Sequence, residues 1–225
     1  MRVILSILIF SFCFTGLHAQ SGSIGVFTHN EDIGNPKLKG DTRYDAATKT
    51  YFVKGAGYNI WFARDEFRFL YKELSGDFTL RANFQFVGTK GNAHRKMGWM
   101  IRESSDEAAA SINACVHADG LVVLQWRPLK GDSMRDPEGE IFFPKKEVYQ
   151  VIEMERKGNN VTMKVGQPGE ALQLVGTHAM PNFKDPVLAG LFISSHDEGA
   201  IEEMRVWNVS IVETAGKKAR EPEEK

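Results

Sequence analysis

The sequence predicts an all-β protein folded as a sandwich of two antiparallel sheets. Three observations carry that prediction. Apolar residues recur at every second position through most of the chain, Gly, Asn, Asp and Pro punctuate the alternation at short intervals, and no segment sustains a helical period. A chain without helices has nothing to cover a parallel sheet, so its half-buried strands must pack sheet on sheet.

The ends frame one domain. Arg2 precedes an apolar run over residues 3–14 and a small-residue exit at Ala19, the pattern of a secretory signal peptide over residues 1–19. That run is too short to cross a bilayer comfortably. The mature chain is therefore expected to be periplasmic or extracellular and not membrane-spanning. Cleavage would remove Cys13 and leave Cys115 as the single cysteine. This rules out an intramolecular disulfide and a Cys-x-x-Cys zinc or redox pair, and Cys115 reads as a small buried hydrophobe. Residues 20–213 read as one β-sandwich domain, and residues 214–225, charged and almost free of apolar side chains, as a disordered tail. A formal net charge of -1 lacks the basic footprint that phosphate neutralisation requires, so nucleic acid is excluded as a partner.

Between the ends, strands are expected near residues 50–54 and 66–72. The next, over 78–86, alternates Phe78, Leu80, Ala82, Phe84 and Phe86 with polar neighbours. Residues 148–156 and 160–165 form a hairpin turning at Lys157-Gly158-Asn159. Residues 186–195 are apolar on both faces, as in a central strand, and 204–212 close the series with Trp207, Val209 and Ile211 on one face. Residues 103–110 are too tightly flanked by strands to be more than a connection.

The stretch 94–127 reads as three consecutive antiparallel strands. A three-residue loop Ala118-Asp119-Gly120, with Gly120 left-handed, sets His117 opposite Leu121. Ile112, Ala114 and Val116 then share the core face with Val122, Leu124 and Trp126. Ser111, Asn113, Cys115 and His117 fall on the other face, opposite Arg127, Gln125, Val123 and Leu121. A two-residue loop would scramble both faces.

Four stretches, GYNIWFARDEFRFLYKELSGDFTLRANFQFVG, HRKMGWMIR, VHADGLVVLQWR and AGLFISSHDEG, resemble a family of secreted bacterial domains found beside TolB-type β-propellers. That family belongs to the concanavalin A-like (laminin G-like) jelly-roll sandwiches. A weaker similarity runs to the sandwich domains of keto-glycoside hydrolases and lyases. The resemblance spans residues 44–212 and implies two curved sheets with ligands on or beside the concave one. It implies no activity, because fold does not fix function.

The polar row of Asn113, His117, Gln125 and Arg127 offers planar donors and acceptors of the kind hydroxyl-rich ligands need. Trp61 and Trp99 are the aromatics available to support a sugar ring there, and the basic triplet His94-Arg95-Lys96, with Arg102 at the far end of the strand it precedes, reads as an anion clamp. Ser194, Ser195, His196 and Asp197 cannot make a nucleophile triad among themselves, since neighbours on an extended chain point to opposite faces. His196 and Asp197 instead read as loop residues reaching a ligand or cation. No cofactor is expected. Calcium is the candidate metal if Asp65, Asp119, Asp197 and Glu198 converge. A paired-carboxylate glycosidase site around Asp65, Glu66 and Glu73 lacks any supporting string. The leading expectation is a secreted carbohydrate-binding domain acting on carbohydrate or another small polar ligand. A glycan-processing enzyme would need a perturbed acid or His in a cleft. A module binding other envelope proteins would need a flat apolar patch.

Overall fold

Period-two patterning becomes two antiparallel seven-stranded sheets in the computed structural model, which describes residues 23–134 and 139–214. The signal-peptide reading lies outside those residues, as does the tail reading except at Thr214, which ends the last strand. The first sheet runs β1 (His29–Ile33), β4 (Phe67–Leu74), β13 (Val187–Ser194), β6 (Lys96–Arg102), β7 (Ser111–His117), β8 (Val122–Arg127) and β9 (Glu140–Phe142). The second runs β12 (Gln173–Ala179), β11 (Asn160–Gly166), β10 (Val151–Lys157), β5 (Asp77–Phe86), β14 (Asp197–Thr214), β3 (Thr50–Gly57) and β2 (Asp41–Asp45).

The central strands follow the sequence reading. β13 lies between β4 and β6 and is buried along almost its whole length, as two apolar faces require. The β7–β8 hairpin has the expected register, with Asn113 opposite Gln125 and Val116 opposite Val122. The His117 N–H donates to the Leu121 carbonyl at 2.8 Å, and Gly120 takes φ +84°. The 103–110 connection contains no helix, and the Glu103 N–H closes it on the Ala110 carbonyl at 3.1 Å.

The four strands not anticipated, β1, β2, β9 and β12, are the four sheet edges. Edge strands bury one flank and little of either face, so their alternation is weak.

One facing is corrected. Trp207 does not share a face with Val209 and Ile211, because the register shifts between Trp207 and Ser210, where Asn208 takes φ +53°. The bulge inserts a residue and inverts parity. Val209 and Ile211 pack on the core, whereas Trp207 receives the Arg205 guanidinium 4.7 Å from its ring centroid.

The main core lies between the sheets and contains Ile112, Ala114, Val116, Val122, Leu124 and Trp126, all on the predicted side. A second apolar cluster, including Ile60, Phe67, Met100, Cys115, Val123 and Met134, covers the opposite face of the first sheet. That face is therefore not an open platform. The segment between β3 and β4 lies down on it.

Candidate functional site

What pins that segment is Asp65, which is wholly buried with Arg102 and Arg127. Arg127 grips the carboxylate with two bonds, Nη1 to Oδ2 at 2.8 Å and Nη2 to Oδ1 at 2.6 Å, and Arg102 Nη1 donates to Oδ2 at 2.6 Å. Arg127 spends its remaining guanidinium hydrogens on carbonyls. Arg127 reaches Phe62 O at 2.6 Å, Ala109 O at 3.1 Å and Asp132 O at 2.8 Å, and Arg102 reaches Asp106 O at 2.7 Å. Both arginines expected to meet a ligand, Arg127 of the polar row and the clamp Arg102, therefore staple three loops to the sheet and are closed to a ligand. Carboxylates near Arg102 in sequence do not pair with it. Its partner comes from a distant loop.

Trp99 is also placed elsewhere. Its pairing with Ala114 puts it on the core face, where its ring stands edge-on to Phe84 at 5.8 Å and its Nε1–H donates to Ile152 O at 3.1 Å. Asn113 lies on the outer face but is wholly buried, with Nδ2 3.7 Å from Met134 Sδ. Asp197 is exposed, and its carboxylate accepts the Gly199 N–H at 2.8 Å. Ser194 and Ser195 both donate to Gly57 O and carry no triad. Asp65 is consumed by its arginines and Glu198 pairs with Lys37, so the four carboxylates read as a calcium set are not gathered at one point.

His117, Gln125 and His196 do come together. With Trp61, His94 and Lys96 they line a cavity of about 220 Å³, completed by Leu121, Val123, Glu140 and Phe142. The β6–β7 register sets Lys96 directly opposite His117, so the two side chains share the outer face. The basic triplet splits accordingly. Arg95 points the other way, pairing with Glu202 at 3.0 Å, while His94 and Lys96 face the cavity. His196 reaches it from a left-handed residue, φ +56°, where β13 gives way to β14. Lys96 is the contributor the polar-row reading left out, and of the two aromatics it had available Trp61 is the one that lines the cavity. The Lys96 position was available from the strand register, whereas Trp61 depended on the Asp65 staple.

The cavity is electrostatically unusual. Lys96 is buried, donates to Asn59 Oδ1 at 2.7 Å, and desolvation lowers its pKa to about 8. Burial, then the Lys96 charge, hold His117 well below the ordinary histidine range and His196 at about 4, so both imidazoles are neutral at pH 7. Burial raises the Glu140 carboxyl, which accepts weakly from Gln125 Nε2 at 3.5 Å. Trp61 Nε1, His117 Nδ1 and His196 Nδ1 are buried without a protein hydrogen-bond partner. Cys115 lies beneath, its thiol pushed up to about 12 by burial.

No protein-family model and no curated protein matches the sequence. Solved structures do match. A functionally unknown protein from Saccharomyces cerevisiae aligns at TM-score 0.61 and 14% identity, over 83% of this chain and 97% of that one. The lectin UEA-II, solved with galactose, aligns at TM-score 0.51 and 7% identity, over 81% and 96%. A legume lectin-like domain from Entamoeba histolytica gives 0.50 and 9%, over 78% and 90%. The fold is the concanavalin A-like jelly-roll sandwich. At these identities the likeness extends to the fold alone.

Proposed function

We propose that the protein binds a carbohydrate in the pocket between Trp61, Lys96, His117 and His196, and that the sugar carries an acidic group. The observation that carries this reading is a cavity lined by Trp61, His117 and His196, each with a buried ring nitrogen that has no protein partner, together with the buried ammonium of Lys96. Buried polar atoms are ordinarily satisfied, so a site that leaves three open is built to receive a ligand's polar groups. Trp61 offers both an apolar ring and an N–H, a combination suited to a sugar. The cavity, about 220 Å³, is smaller than the roughly 300–1,000 Å³ of typical drug-sized sites, which fits one sugar residue and not a long oligosaccharide. In this reading the domain is exported, works in the periplasm or outside the cell, and belongs to the propeller-associated family that its motif string resembles.

Titration calorimetry against neutral monosaccharides and uronates tests it, with Trp61→Ala and His196→Ala beside the wild type. Uronate binding weakened at least about tenfold by both changes is the expected outcome. Binding indifferent to both, or no sugar bound at all, would overturn the reading. A second reading, glycan processing, is favoured by one observation: neutral His117 stands opposite Lys96, a proton acceptor beside a group that can neutralise a carboxylate. Product analysis after incubation with uronate-containing glycans separates it from binding alone.

A further inference from the structure

We propose that His94, His117 and Asp119 form a site for a zinc-type transition-metal ion at the rim of the pocket. Their ligating atoms all lie within 4.8 Å of one another. Zn–N and Zn–O bonds of about 2.0–2.2 Å in a tetrahedron put ligand atoms roughly 3.3 Å apart, so small rotations of the two exposed side chains, His94 and Asp119, close the set.

The backbone holds the three residues ready. Asp119 sits in the tight turn two residues beyond His117, and the loop carrying His94 is bonded to that turn. The Ala118 N–H donates to Arg95 O at 3.0 Å and the Asp119 N–H to Ala93 O at 3.0 Å. The His94 ring stands edge-on to that of His117, with centroids 6.0 Å apart.

A second, independent observation points to a ligand. His117 is only 4% exposed, yet its Nδ1 has no partner in the protein. The ring of His196 lies 5.6 Å from that of His94, and its Nδ1 is unpartnered too. Asp119 keeps acceptor capacity, since Oδ1 takes one N–H from Leu121 at 3.0 Å and Oδ2 meets Lys146 only at 3.4 Å, in an exposed contact.

Imidazoles with one carboxylate suit zinc, cobalt or nickel, whereas calcium demands six or more oxygens. The positive groups facing the cluster are Lys96 and Lys146. Their repulsion predicts that the metal binds more tightly when an anion occupies the pocket.

The site shares His94 and His117 with the lining of the sugar pocket but does not depend on sugar binding, so the test uses metal alone. Chelator-stripped protein without a polyhistidine tag is titrated with Co²⁺ by visible absorption and with Zn²⁺ by calorimetry. One ion per chain is expected, with the intense absorption of low-coordinate cobalt, and affinity at least about tenfold weaker in both His94→Ala and Asp119→Asn. Both residues are exposed, and thermal unfolding verifies that the variants fold. Absence of saturable Co²⁺ and Zn²⁺ binding, or binding unaltered in both variants, overturns the metal site. Uronate titration in excess chelator reads the sugar proposal separately.

Discussion

Asp65 and Arg127 form a two-bond ion pair, 2.6 and 2.8 Å, with neither side chain reached by solvent. Removing one member of such a pair leaves an uncompensated buried charge, and here Asp65→Asn would leave two guanidiniums facing each other. The expected loss is about 3–5 kcal/mol in denaturant unfolding. Lys130 and Asp106 make an equally short pair at 2.6 Å, but are 65% and 39% exposed, and breaking it is expected to cost under about 1 kcal/mol. Similar losses for the two variants would mean that the staple does not hold the loops.

The position of Cys115 predicts chemical silence. The thiol is wholly buried and its pKa is raised to about 12, so almost no thiolate exists at neutral pH. An aromatic disulfide reagent is expected to leave Cys115 unlabelled in the native protein and to label it at a rate that follows unfolding, with peptide mapping locating the label. Prompt labelling in buffer would contradict the packing around β7 and β8.

Trp99 and Trp61 are expected to behave oppositely when changed. Trp99→Ala opens a cavity between the sheets and removes the Nε1–H bond to the Ile152 carbonyl, at an expected cost of about 3–5 kcal/mol. Trp61 is only partly buried over the pocket, so Trp61→Ala is expected to cost far less stability and to lose ligand binding. Chemical unfolding of both variants beside a uronate titration distinguishes them, and a Trp99 variant of full stability would place that ring wrongly.

The contrast between these two tryptophans marks how far the sequence could be read. The β7–β8 register was legible because a three-residue turn and strict alternation constrain each other, and this sorted His117 from Trp126 correctly. The face of Trp99 is not fixed by the β7–β8 hairpin, because it depends on how β6 registers against β7. Pairing it with Ala114 decides its side. The burial of Arg102 and Arg127 was not legible, because alternation gives the face of a sheet and not what covers it. The cover depends on Asp65 meeting Arg127 from 62 positions away. The edge strands were missed for a local reason: they bury too little to be patterned.

The pocket's buried bases fix the pH response. For His196, held at about 4 against an ordinary 6.5, the unfolded chain takes up a proton that the folded one refuses between those values. Stability tied to the neutral ring is therefore complete above pH 6.5 and lost as pH falls toward 4, and His117 adds in the same direction. Lys96 works on the alkaline side. Its pKa of about 8 lies below its ordinary 10.5, so between these values the unfolded chain again holds the extra proton and this contribution to stability grows as pH rises. Affinity for an anionic ligand follows the opposite course, because the ammonium discharges above pH 8. Uronate affinity is expected to fall between pH 7 and about 9.5 while the unfolding midpoint does not, and Lys96→Met should remove that pH dependence. Parallel decline of affinity and stability would trace the loss to unfolding and exclude Lys96 as the anion's partner.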